Sequence, residues 1–204
     1  ILNLSLFKLC IISFLWSFVI SVVIHILTMN FLTYDTHGIG FILPDSVGFH
    51  QDSMTLYNIM DKWGFNKWTL KPTGCGTKCW DEMVGIVSLI YYWVYPSTFV
   101  IIFLNAVVQA LSTFVIYKIF YKISNNPKIT LVSVLAFIFF PSQFLWVSQI
   151  HRDGIFILGI LLYFYIILDY FYFINLKKIN YFNTFLKIIS LSFISTFLLT
   201  ISRN

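Results

Sequence analysis

Three ionisable side chains stand in a row, His151-Arg152-Asp153, where two strongly apolar runs meet in "FFPSQFLWVSQIHRDGIFILGILLYFYIIL". An arginine fork suits anionic oxygens, and a carboxylate suits proton transfer. A wet turn between two helices also needs polar residues, but Gly, Asn or Ser usually serve there. Ionisable groups at or near membrane depth are functional candidates by default. For Asp153 alone a structural reason suffices, since a carboxylate in the first turn of a helix is favoured by the helix dipole.

A second constellation lies upstream in "GFHQDSMTLY", where His50 and Asp52 are two residues apart. Asp52 can cap a following helix through the Met54 or Thr55 amide, which does not exclude a catalytic role. His50 and Asp52 could also contribute two ligands to a divalent metal such as Mg or Mn, although the sequence supplies no obvious third. In "GCGTKC", Cys75 and Cys79 are close enough to form a small disulfide in an oxidising compartment. Without a second pair, the competing zinc reading is weaker. His25 and Cys10 fall in an apolar run and read as packing residues, and Asp169, near Lys177 and Lys178, reads as structural. There is no Gly-rich phosphate loop, Ser-His-Asp order or HExxH spacing, so a soluble nucleotide-using enzyme is unsupported.

The elements that must position these residues belong in lipid. The 204 residues are 59% hydrophobic, 20% aromatic and only 10% charged, with a mean hydropathy of +0.85. A soluble domain of this size cannot hide so much apolar surface. The net charge of +5 comes from scattered bases in short stretches between apolar runs. That is the pattern of membrane-flanking anchors, and it predicts lipid contacts and no nucleic-acid partner.

The sequence predicts an all-α, polytopic integral membrane protein with about five transmembrane helices. Leu9 to Tyr34 carries no Lys, Arg, Asp or Glu and reads as an uncleaved first span. Residues 33 to 82 hold six of the eight acids, four Lys and several Gly and Pro, and read as an aqueous loop. Within it Met54, Tyr57, Met60 and Trp63 predict a short interfacial helix starting just after Asp52. Pro96 divides the next block into an interfacial helix at 81 to 94 and a span at 97 to 117. Further spans are expected at 129 to 149, 154 to 174 and 183 to 201. With a cytoplasmic start, Lys118, Lys122, Lys128, Lys177, Lys178 and Lys187 lie at the inner face, and the loop 33 to 82 shares the outer face with His151-Arg152-Asp153. The chain is expected to be a single transmembrane domain, 1 to 204, and the N-terminal part of a longer protein.

This arrangement resembles the membrane-embedded type-C glycosyltransferases, the group of the dolichyl-phosphate-mannose protein mannosyltransferases and the bacterial aminoarabinose transferases. The resemblance is carried by the first span, the Asp in "HQDSMTLY", the block around Asn105, and "FPSQFLWVSQIHRDGIFILGILLYF" with its Arg and Asp before the next span. It covers about 40 to 200 as a pattern. It implies a polyprenyl-phosphate-linked sugar donor, a glycan, lipid or protein acceptor, and a membrane that is the bacterial plasma membrane or the endoplasmic reticulum. By position Asp52 matches the first-loop catalytic acid and Asp153 the second-loop acid, while Ser53 stands where many members carry a second acid. Arg152, with Arg203 and His151, is then expected at the donor phosphate. A polysaccharide polymerase or ligase of another fold, and a non-enzymatic transport or assembly subunit, are the rival readings. The second is weakened because the spans hold few polar residues besides His25, Asn105 and Gln109.

Overall fold

The computed structural model describes residues 5–31, 39–72, 82–175 and 181–203. Cys75 and Cys79, with the disulfide expected between them, lie outside these residues. Among the described residues the regular structure is entirely helical: α1 (Leu6–Phe31), α2 (Pro44–Trp63), a 3-10 turn (Phe65–Lys67), α3 (Glu82–Trp93), α4 (Thr98–Ser124), α5 (Pro127–Ile138), α6 (Pro141–Val147), α7 (Asp153–Asn175) and α8 (Tyr181–Arg203). Leu6–Phe31, Thr98–Ser124 and Asp153–Phe171 are long and apolar enough to cross a membrane.

Packing is inverted relative to a protein that folds in water. Along α1 the buried residues are Leu9, Ser13, Ser17, Ser21, His25 and Thr28, whereas Leu15, Val19, Val23 and Phe31 are exposed. Small residues four apart let α4 approach closely, and Ser13 Oγ meets Thr113 Oγ1 at 2.7 Å. Outward-facing Leu, Val and Phe suit lipid tails better than water. This inversion gives the membrane reading its structural basis.

Side-chain pairs fix the direction of each helix. Ser13 with Thr113, and His25 Nε2 with Thr98 Oγ1 at 2.9 Å, make α1 and α4 antiparallel. The chain turns at Asn125, which adopts the left-handed conformation, and Asn126 then caps α5 by accepting from the Lys128 amide. Gly154 lies beside Val108, and Lys122 pairs with Asp169, so α7 runs parallel to α4. The return between them is made by α5 and α6 together. The single span expected at 129 to 149 is thus two helices, separated at Phe139–Phe140 because Pro141 has no amide hydrogen and its ring opposes a helical residue before it. Trp16 of α1 packs against the break, its ring 5.1 Å from Phe139 and 6.1 Å from Phe144. Ser195 Oγ donates to the Gly159 carbonyl at 2.8 Å, and Lys187 meets Asp169, which sets α8 antiparallel to α7.

At one end of this bundle α2 and α3 pack on each other. Phe41, Phe49, Met83, Val84, Val87 and Tyr91 form their shared core, joined by Ile101 and Ile150. The divider at Pro96 is where expected, since α3 ends at Trp93 and α4 starts at Thr98. Helix α2 begins nine residues earlier than predicted, with Pro44 at its first position. Asp52 is therefore in mid-helix and is not the N-cap of α2, which overturns the N-cap reading. Its buried face is Ser46, Phe49, Asp52, Ser53, Leu56 and Met60, while Trp63 of the expected stripe is exposed.

Candidate functional site

The site is built where the segment between α6 and α7 docks on α2. Three polar anchors hold it. The Gln149 side chain, fully buried, accepts from the backbone amides of Ile42 and Leu43 at 2.9 and 3.2 Å. Asn105 of α4 donates through Nδ2 to the carbonyls of Val147 and Gln149 at 3.1 and 2.6 Å. Ser46 Oγ of α2 donates to the Ile150 carbonyl at 3.0 Å. Each anchor satisfies a backbone group that an irregular segment would otherwise bury unpaired.

These anchors carry the charged triplet to α2. The Arg152 guanidinium carbon lies 6.0 Å from the centre of the Phe49 ring, within cation–π range. Phe49 and Asp52 are three apart on α2 and share its buried face, so Arg152 approaches the stretch of helix that bears Asp52. Asp52 is 5% exposed. Asp153 opens α7, and its Oδ2 lies 3.1 Å from His151 Nδ1. The same ring nitrogen is 3.3 Å from the Asp153 amide, which it accepts from when unprotonated. It donates to the carboxylate only when protonated. Arg203 ends α8 at this same end of the bundle; its side chain lies outside the described residues.

Helix geometry separates the other expected pair. His50 and Asp52 sit on one α-helix, and two residues of a helix turn through about 200°, so their side chains leave in nearly opposite directions. His50 Nδ1 is 2.8 Å from the Tyr91 hydroxyl of α3. Burial, with a smaller contribution from the positive charge His25 would carry, pushes His50 down to about 4, and burial pushes the Tyr91 phenol up. A neutral imidazole bonded to a neutral phenol is a helix-to-helix tie. The two residues proposed as metal ligands do not fit one ion, and among the described residues no three His, Cys, Asp or Glu side chains are grouped to hold one.

Behind the triplet a small cavity of about 20 Å³ enters the bundle between α4, α6 and α7. Asn105, Gln109, Gln143, Trp146 and His151 line it, and Gln109 Nε2 has no protein acceptor. Polar side chains thus continue the site inward along one face of α4. At the other end of the bundle Asp169 pairs with Lys122 and, at 2.7 Å, with Lys187. Lys177 and Lys178, its expected neighbours, lie outside the described residues.

Sequence reasoning missed Gln149, Ser46 and Tyr91. The one available signal was Gln149, an amide in an apolar run two positions before His151. Its partners, two loop amides more than a hundred positions away, leave no local trace.

Comparison of the chain with protein-family profiles, with curated proteins and with solved structures returns no match. The class defined by fold and packing is, among the described residues, an all-helical protein with three helices fit to cross a membrane.

Proposed function

We propose that this chain is the catalytic membrane portion of a glycosyltransferase that moves a sugar from a polyprenyl-phosphate carrier to a hydroxyl-bearing glycan, lipid or protein acceptor on the extracytoplasmic face. The observation that carries the reading is the docking of 148–153 onto α2, with Arg152 over Phe49 and Asp52 one turn along the same helix face. In this reading α1, α4, the broken pair α5–α6, α7 and α8 are five membrane passes, and α2 and α3 rest at the outer interface.

Asp52 acts as base. It takes the acceptor hydroxyl proton as the oxygen attacks the anomeric carbon, and the bond from that carbon to the carrier phosphate breaks with inversion. The electron pair leaves on the phosphate, whose growing negative charge Arg152 meets. Asp153 and His151 hold the neighbouring turn and keep a carboxylate beside the acceptor path.

The test uses the full chain in proteoliposomes with polyprenyl-phosphate sugars. Asp52→Asn keeps size and polarity but removes the base, so transfer should fall by about a hundredfold or more with donor binding nearly intact. Transfer at the parental rate would overturn the assignment.

A further inference from the structure

A cleft of about 330 Å³ opens between α4, α7 and α8 at the end of the bundle opposite Asp52 and Arg152. Phe114, Leu162 and Leu191 form apolar walls, Tyr165 adds an aromatic face, and Lys118 and Lys187 bring ammonium groups to it. Beside the cleft Lys122 and Lys187 share a single carboxylate, Asp169, and both ammoniums lie over the Tyr165 ring, at 4.5 and 5.2 Å. Lys118 lies 5.5 Å from the centre of the Phe114 ring. Three lysines and one carboxylate leave this corner with a net positive charge.

Depth favours a lipid headgroup. From Thr98 to Lys118 the helix rises about 30 Å, the thickness of a bilayer's hydrocarbon core. Lys118 therefore stands at the headgroup boundary and the apolar walls stand at the depth of acyl chains. Lysines at that boundary attract anionic headgroups, and the acyl chain of such a lipid fills the walls. A zwitterionic lipid brings its own cation to the same place, and a free phosphate leaves the apolar walls uncovered. We infer that the cleft between α4, α7 and α8 is a binding site for an anionic phospholipid, headgroup on Lys118 and Lys187 and acyl chain against Phe114, Leu162 and Leu191. The inference does not depend on the proposed activity.

Native mass spectrometry of the full chain, titrated in detergent with phosphatidylglycerol or phosphatidylcholine, tests it. Phosphatidylglycerol should be retained in preference to phosphatidylcholine, and glycerol phosphate should not displace it. Lys118 takes no part in the Asp169 pair, so Lys118→Gln should fold and weaken retention about fivefold, with Lys118→Arg restoring it. Leu162→Trp narrows the cleft with its charges intact and should also weaken retention. Equal retention of both lipids, or undiminished retention by both Lys118→Gln and Leu162→Trp, overturns the site. Displacement by glycerol phosphate would reduce it to a free-anion site and equally overturn the lipid assignment.

Discussion

Asn105, in the second turn of α4, donates to the carbonyl of Gln149 at 2.6 Å, and the side chain of Gln149 in turn accepts two amides from the loop before α2. One buried glutamine thus joins a membrane helix, the α6–α7 segment and the entrance to α2. Gln149→Leu leaves the Ile42 and Leu43 amides without that acceptor, at a cost of about 2 kcal/mol or more. Thermal unfolding should shift down, and hydrogen exchange at 42 and 43 should quicken more than exchange within α7.

Arg152 separates charge from shape. Arg152→Ala should raise the KM for the polyprenyl-phosphate donor and lower kcat. Arg152→Lys keeps the charge but loses the planar fork that stacks on Phe49, and should fall between the two. Equal kinetics for all three would leave Arg152 with a packing role only.

His50 makes the α2–α3 contact sensitive to acid. Its folded pKa, about 4, lies below the unfolded value near 6.5, so between these pH values the unfolded chain binds more protons. The stability present above the unfolded pKa is lost as pH falls toward 4, by an amount on the order of 3 kcal/mol. Unfolding followed from pH 7 to pH 4.5 should show this loss, and His50→Gln should flatten it.

Gly85 of α3 has no room for a methyl group, since a Cβ there would lie 2.3 Å from the Leu70 carbonyl oxygen. Its own carbonyl accepts from Trp68 Nε1 at 2.9 Å. Backbone cannot yield as a flexible side chain does, so Gly85→Ala should cost about 2 kcal/mol or more. Trp68 fluorescence should shift red as that segment lifts from α3.

Orientation is open to direct labelling. Asn66 and Asn125 lie at opposite ends of the bundle, within the 3-10 turn and just after α4. Single cysteines placed there should react with an impermeant thiol reagent from outside at 66 and from inside at 125. Outside labelling at 125 would reverse the assignment.

Hydropathy and proline position made much of the helix order legible. The division at Pro96 and the extents of α3 and α7 follow from where apolar runs stop and where an amide hydrogen is missing. The start of α2 was not legible because Pro44 and Gly48 look like breakers, yet proline is well tolerated at a helix's first turn and a single glycine inside one costs only about 1 kcal/mol. A hydropathy average over 129 to 149 is equally high for one helix or two, so the break before Pro141 was hidden. On the site side, the triplet stood out by charge alone. Its attachment to α2 through Gln149, Ser46 and Asn105 depends on tertiary geometry.

The break before Pro141 bears on how the chain enters its membrane. Insertion machinery samples one emerging segment at a time, and α5, at 12 residues, is well short of the roughly 20 needed to partition alone. Helix α6 adds seven more residues, but only after an interruption whose backbone needs protein around it. In the five-pass reading proposed above, the α5–α6 pair is then not a self-sufficient insertion unit. It settles only when α7 joins Trp16 of α1 and Asn105 of α4, which precede the pair in the chain. A nascent chain arrested just after Ser148 should still leave α5 and α6 extractable, whereas one arrested beyond α7 should hold them. Biogenesis of this end of the protein would then be cooperative, with the segment that carries Arg152 and Asp153 positioned last.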